Sequence, residues 1–311
     1  MENIIITGAD GFIGSNLTKY FVSKNYFVYA VVSPKSKTTS RIQNIENVCV
    51  IVNELENYEQ IAKNIKITPI AFIHLALAGV SPEERNSTDI QVQNITLALN
   101  AVKLAHIINA QRFIFPGSTM EYSYCGGLIN EFSRPSPQNA YGAAKISARY
   151  LCESLCKELN VSYVYIVITG IYGSDRHDNN VITYTIRSLL AGEKPSYTKL
   201  EQMWDYIHID DLVEAILQIA QKGKSGAFYS IGHGDNWPLY KYINIIHNLI
   251  DPSLPIGIGE IPYEDERIPS SCMDLTALKN DTGFCPKIPF DEGIQQVILK
   301  IKEELYSNKE N

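Results

Sequence analysis

Short, nearly unbroken apolar runs punctuate the first half of the chain, at 4–7, 27–32, 48–52, 71–75, 112–116 and 163–168. Between most of them apolar residues return at every third or fourth position, the period of an amphipathic helix. The runs themselves are strand-length, so the spacing predicts strands that alternate with helices. That alternation implies a parallel, doubly wound α/β sheet. From about residue 172 the alternation becomes irregular and loops rich in Asp, Asn, Gly and Pro appear. We therefore expect an α/β domain over 1–172, rejoined by 203–232, and a smaller, irregular α/β lobe made of 173–202 and 233–306. Within the returning part, 205–222 reads as a strand and a helix. Residues 307–311 read as a polar, frayed tail.

The turn after the first strand carries the first chemical signal. Thr7-Gly8-Ala9-Asp10-Gly11-Phe12-Ile13-Gly14 spaces its glycines as G-x-x-G-x-x-G, and a helical pattern follows through Leu17, Tyr20 and Phe21. Glycines at a helix start let backbone amides approach a pyrophosphate with no Cβ in the way, at the positive end of the helix dipole. A bare glycine spacing also fits a structural turn; its place directly after a strand makes it a nucleotide signal.

A second signal is Tyr141-Gly142-Ala143-Ala144-Lys145. Residues four apart on a helix share a face, so the ammonium can act on the phenol. Bringing a phenol from its free value to neutrality means favouring the phenolate by about 4 kcal/mol. One ammonium at about 4 Å in an effective dielectric of about 20 supplies energy of that order. The spacing alone fits equally a solvated pair on a surface helix, and only its company decides.

That company is a set of motifs in order. His74-Leu75-Ala76-Leu77-Ala78 follows an apolar strand, and Asn94 is expected to open the next helix. Phe113 to Tyr122 reads FIFPGSTMEY, with Ser118 at the end of a strand, and Asp205-Tyr206-Ile207-His208-Ile209-Asp210-Asp211 follows later. Together with the glycines and Tyr141/Lys145, these resemble the extended short-chain dehydrogenase/reductase family, of NAD-dependent epimerase/dehydratase type, over nearly the whole chain. The resemblance implies a Rossmann fold and enzymes that act on nucleotide-linked sugars. It also implies Ser118, Tyr141 and Lys145 as catalytic residues, with an ordinary strand-end hydroxyl as the other reading of Ser118. For the dinucleotide it implies contacts from Gly8, Gly11, Phe12, Ile13, Gly14, Leu75, Ala76, Tyr141 and Lys145. Glu54-Leu55 stands where the family has Asp-Leu beside the adenine.

The departures from the family's pattern are as informative. Family dehydratases place Asp-Glu directly after the catalytic Ser/Thr; here Thr119 and Met120 stand there, and methionine carries no proton. Both are expected to face the substrate. Asn180 is expected either at the sugar nucleotide's diphosphate or as a helix cap. Trp204 replaces an arginine that pairs with phosphate; it can stack on a base but cannot neutralise charge. Gly170 replaces an asparagine, and Tyr122-Ser123-Tyr124 replaces the usual Tyr-Gly. Phosphate neutralisation then falls to other cations, with Lys194, Lys199 and Arg267 as candidates.

The cofactor's identity turns on the end of the second strand. NAD sites commonly carry an acid there for the ribose hydroxyls. This chain has Ser33, followed by Lys35, Lys37 and Arg41. Hydroxyl and cations suit a 2′-phosphate, so the expectation is NADP(H), with NAD(H) as the alternative. Reductases of the family consume external NADPH, whereas its epimerases and dehydratases recycle a held NAD. The expected activity is therefore NADPH-dependent reduction of the 4-keto group of a 4-keto-6-deoxy nucleotide sugar, feeding surface polysaccharide. A nucleotide-sugar 4-epimerase and a non-catalytic dinucleotide-binding protein are the competing readings.

Composition narrows the partners. The 311 residues are 45% apolar with net charge -7, enough for a large core and without a basic footprint for nucleic acid. No apolar stretch is long enough to span a membrane, and no basic segment precedes one at the amino terminus, so a cytoplasmic, metal-free enzyme is expected. The six cysteines include no C-x-x-C pair; Cys152 and Cys156 read as core residues. His208 reads as structural and His74 as a core histidine. A homodimer is expected from the family, and Leu97, Ala101, Leu104, Ala105 and Ile108 form an apolar stripe that suits either a dimer contact or the protein's own sheet.

Overall fold

The protein is described from a computed structural model covering residues 1–79, 81–174, 176, 180–263 and 268–307. Its strands begin with β1 (Asn3–Thr7), β2 (Phe27–Val32), β3 (Val48–Val52), β4 (Ala71–His74) and β5 (Phe113–Ser118). They continue with β6 (Leu128–Ile129), β7 (Tyr163–Ile168), β8 (Gly170–Tyr172), β9 (Ser196–Tyr197), β10 (Met203–Trp204), β11 (Tyr206–His208) and β12 (Phe228–Ile231). Seven of these form one sheet in the order β12-β7-β5-β4-β1-β2-β3, parallel throughout. All six strands expected from the apolar runs are present in it.

The runs are continuous because both faces of the sheet are covered. Along β1 the side chains alternate: Ile4 and Ile6 join Leu17 and Phe21 of helix α1 (Phe12–Ser23) and residues 212–220, while Ile5 points to Phe72, Ala101, Phe113 and Cys152. Helices on the second face include α2 (Tyr58–Ala62), α4 (Thr88–Ile107), which follows the short α3 (Pro82–Arg85), and α5 (Ala140–Glu158). The stripe on α4 belongs to this core: Ala101, Leu104, Ala105 and Ile108 are buried and Leu97 packs against them. It faces the chain's own sheet and so lends no support to a dimer.

One sequence expectation needs correction. Asn94 does not open the helix, which starts at Thr88; it lies within α4, where its side chain holds both the N–H and the carbonyl of Ala78 at 2.9 Å. The segment 205–222 does supply a strand and a helix, but β11 pairs with β8 in a separate two-stranded sheet. Ile207 of β11 and the helix α7 (Ile209–Lys222) both join the core around α1, while the seventh strand of the main sheet is β12.

A third core joins helices α6 (Val181–Leu190), α8 (Leu239–Ile250) and α10 (Phe290–Ser307), which follows α9 (Thr276–Thr282). Tyr242 lies at its centre, with ring centroids 4.9 Å from Tyr206 and 4.8 Å from Phe290. Residues 308–311 of the expected tail lie outside the described residues.

The sheet's crossovers reverse direction between β1 and β4, and a crevice opens there at the carboxyl ends of the strands. The glycine turn sits on it. A Cβ on Gly14 would run into the Gly8 carbonyl oxygen and come within 2.7 Å of the Ala9 Cα, so α1 lies on the turn as closely as a side-chain-free residue permits. Gly14→Ala is therefore expected to lower the stability measured by urea unfolding by about 2 kcal/mol or more. Gly127→Ala, whose Cβ would have no atom within 4 Å, should change it by less than about 0.5 kcal/mol.

Candidate active site

The ends of β1, β2 and β4 meet around Gly8. Gly8 has φ +67°, and its N–H donates to the Val31 carbonyl at 2.9 Å. A Cβ there would stand 2.8 Å from the Ala76 nitrogen, so Leu75 and Ala76 line the same turn. Gly11 is the N-cap of α1 and provides no side chain to its first amides, and Phe12 and Ile13 form the exposed-to-buried first turn. An uncapped helix start under a glycine turn fits a pyrophosphate.

Farther out, Ser33 donates to the Glu54 carboxylate at 3.3 and 3.4 Å, and the Lys35 ammonium stands 3.9 Å from it. Ser36 and Thr39 both donate to Asp10, Thr39 at 3.2 Å. Arg41 ends a short 3₁₀ turn, Thr39–Arg41. Leu55 is buried in the core. Ser33, Lys35 and Glu54 are thus one group, and the basic loop carries two carboxylates that sequence order alone did not place in it.

The reaction centre assembles where α5 approaches the end of β5. Asn139 caps α5 by accepting the Gly142 N–H at 2.9 Å, and a Cβ on Gly142 would collide with the Met120 carbonyl. This close approach sets Tyr141 beside Ser118, whose hydroxyl favours the phenolate. The Lys145 ammonium donates to the Pro116 carbonyl at 2.9 Å and stands 4.9 Å over the Phe115 ring and 5.9 Å from the Tyr141 ring. All three expected residues come together.

Their electrostatics differ from the simple pair. Burial first, then the Glu121 carboxyl, pushes the Tyr141 phenol up to about 12, against the Ser118 hydrogen bond and the Arg85 guanidinium. Burial brings Lys145 down to about 8, with Glu121 opposing. The expectation that Lys145 lowers the phenol is thus corrected for this state: desolvation outweighs it, and the ammonium is committed to Pro116.

Thr119 and Met120 begin a 3₁₀ turn, Thr119–Glu121, in which the Met120 N–H donates to Ser118 Oγ at 3.3 Å. Sequence reading passed over Glu121. It is fully buried, accepts the Ser118 N–H at 2.6 Å and the Tyr165 hydroxyl at 2.5 Å, and burial lifts its carboxyl to about 7. The signal was present as Ser-x-x-Glu, the spacing of a capping box. Arg85, whose guanidinium is 5.8 Å from the Tyr141 ring, had no such signal.

On the substrate side a cavity of about 470 Å³ is lined by Asn180, Tyr184, Tyr197, Gln202, Trp204 and Tyr206 among others. Asn180 lines it while capping α6, accepting the N–H groups of Ile182 at 2.9 Å and Thr183 at 3.2 Å. Trp204 explains Gly170: a Cβ at 170 would stand 2.9 Å from the indole nitrogen and 2.7 Å from the Tyr206 ring. Lys194 is paired with Glu260, which draws it from the phosphate role, and Lys199 is exposed. Arg267 lies outside the described residues. His208 caps α7, and His74 bonds Thr7 at 2.8 Å with its ring pushed down to about 3 by burial. Cys152 and Cys156 are buried, and burial raises both thiols. No described helix is long and apolar enough to cross a membrane.

Known proteins fit this geometry. CDP-abequose synthase of Salmonella muenchen is 24% identical over 316 residues, 97% of this chain and 98% of its own. The dTDP-glucose 4,6-dehydratase of Haemophilus influenzae is 22% identical over 337 residues, covering 96% and 97%. Among solved structures, UDP-glucose 4-epimerase of Thermotoga maritima with UDP-glucose superimposes with TM-score 0.82 at 21% identity, over 97% of this chain and 99% of that one. The Bacillus anthracis dTDP-glucose 4,6-dehydratase in complex with NAD gives 0.84 at 19% identity, over 97% of each. These structures share the fold. The family model described as the NAD dependent epimerase/dehydratase family matches residues 4–232. With that match over most of its length, the chain belongs to the NAD dependent epimerase/dehydratase family of enzymes.

Proposed function

We propose that this enzyme reduces the 4-keto group of a 4-keto-6-deoxy nucleotide-linked sugar with NADPH, in the making of surface polysaccharide sugars. The observation that carries the reading is the turn after Ser118. Thr119 and Met120 offer no carboxylate for elimination of water, and the one acid in the turn, Glu121, is turned inward onto the Ser118 N–H and Tyr165. What remains beside Ser118 is a phenol that holds its proton, the form a ketone reduction needs.

In this mechanism Ser118 and Tyr141 both donate hydrogen bonds to the ketone oxygen and polarise it. A bound nicotinamide would supply the hydride for the carbonyl carbon. Tyr141 then passes its phenolic proton to the forming alkoxide, and Lys145 holds ribose and supplies positive charge as the phenolate develops. Asn180 and Trp204, at the cavity wall, bind the nucleotide portion, Trp204 by stacking.

For the cofactor, Ser33, Lys35, Lys37 and Arg41 support the 2′-phosphate. The Lys35–Glu54 pair is loose, with Lys35 91% exposed, and such pairs contribute little; a phosphate would take over both Lys35 and Ser33. Glu54 is then the group that opposes NADPH.

Three outcomes are expected. NADPH should be consumed with at least one 4-keto-6-deoxy sugar carried on dTDP, CDP, GDP or UDP, and no consumption with any of them would overturn the reading. NAD that survives purification would instead mark an epimerase. Tyr141→Phe should bind NADPH nearly as wild type, read by fluorescence titration, while kcat falls by about 10²-fold or more. Glu54→Gln should raise the NADPH-over-NADH ratio of kcat/KM by several-fold, roughly 1 kcal/mol.

A further inference from the structure

Glu121 has no task in the reaction just described, yet it is built in with care. Its Oε1 accepts the Ser118 N–H and its Oε2 the Tyr165 hydroxyl. Gly117 leaves it room: a Cβ there would stand 2.6 Å from Glu121 Oε1 and 2.5 Å from the Tyr165 ring. The cap itself does not need an acid, because a glutamine in a Ser-x-x-Gln box accepts the same N–H. What glutamate adds over glutamine is charge.

The groups that face this charge include two of the reacting ones, Tyr141 and Lys145. From α5 come Lys145, Arg149 and Tyr141, from β7 Tyr165, and from its own turn Tyr122. Tyr141 in turn is faced by Ser118, Arg85 and Glu121, with Lys145 one helical turn along. Among the described residues, Glu121 is the one carboxyl that acts on Tyr141.

Resting on the reductive reading above, we propose that Glu121 is a positioning residue: its carboxyl group fixes the Ser118 backbone and places a negative charge behind Tyr141 and Lys145, so that the phenol keeps its proton to higher pH. It touches neither substrate nor cofactor. Burial sets its midpoint near neutrality, at about 7, so it ionises as pH rises through that value. Once ionised it opposes loss of the Tyr141 proton and supports the Lys145 ammonium. An enzyme that had to begin by taking a proton from an alcohol would be hindered by the same charge.

The test separates this proposal from the reductase reading. Carbon-13 NMR of protein labelled at tyrosine Cζ and glutamate Cδ follows both titrations without substrate, with Tyr141→Phe and Glu121→Gln assigning the signals. Glu121 should titrate at about 7, and the Tyr141 titration should begin about one pH unit lower in Glu121→Gln than in wild type. Tyr165→Phe should move the Glu121 midpoint upward, because the carboxylate loses a donor. With any sugar that is reduced, the alkaline limb of kcat should move to lower pH by the same interval in Glu121→Gln, whereas a purely structural loss would lower kcat at every pH without moving the limb.

Stability provides a further readout. The raised Glu121 value stabilises the fold fully below its ordinary 4.5, and that contribution is lost as pH rises through about 7. The Tm of wild type should therefore fall relative to Glu121→Gln over that interval. An unmoved Tyr141 titration in folded Glu121→Gln, or a Glu121 midpoint near 4.5, would overturn the proposal. Should Glu121→Gln not fold, the Tyr141 signal of wild type between about pH 5 and 9 carries the test through its coupling to Glu121: an inflection at the Glu121 midpoint is expected, and a flat response refutes the role. Absence of NADPH consumption sinks the reductase reading alone and leaves the NMR result standing.

Discussion

The site depends on one close contact, the first turn of α5 pressed against the turn that ends β5. Gly142 lies so near the Met120 carbonyl that no side chain fits between them. Asn139 holds the helix start in place, and Ser118 and Glu121 hold the turn through their reciprocal cap. Tyr141 reaches Ser118 because of this contact, and Lys145, one helical turn later, is brought over Phe115 to Pro116. A displacement of about 1 Å here would separate the phenol from the hydroxyl, at a cost in rate of about 10²-fold.

The same contact sets the electrostatics. Pressing the turn against the helix buries Glu121 fully and Tyr141 and Lys145 in part, and this desolvation is the largest influence on each. Burial raises the acid and the phenol and lowers the ammonium, as it must for groups whose charged forms lose hydration. Lys145 therefore does not govern Tyr141 alone. The phenol's proton reflects a balance among desolvation, Glu121, Ser118 and Arg85.

Much of this was legible in the chain. Unbroken apolar runs gave the six expected strands because a parallel sheet is buried on both faces, and G-x-x-G-x-x-G marked the tight turn under α1 because only glycine tolerates the approach of Gly14 to Gly8. Tyr141 and Lys145 were readable as one helical face because four-residue spacing survives folding. Contacts between distant segments were not. Glu54 meets Ser33 across two strand ends, Arg85 comes over Tyr141 from another helix, and Gly170 is explained only by Trp204 and Tyr206 beside it. The α4 stripe was ambiguous because a helix's apolar period says that a face is buried and not against what. Glu121 was hidden for a subtler reason: an acid next to Met120 and Tyr122 reads as an ordinary polar turn residue until its complete burial is known.

The central claim is that Ser118, Tyr141 and Lys145 serve a net ketone reduction. The most direct measurement follows a deuterium carried at C4 of the NADPH nicotinamide ring into the sugar product. The account predicts one deuterium on the former carbonyl carbon of the sugar and its loss from the oxidised cofactor. A product inverted at that carbon with no deuterium acquired, and a cofactor that ends each turnover in the state in which it began, would contradict it.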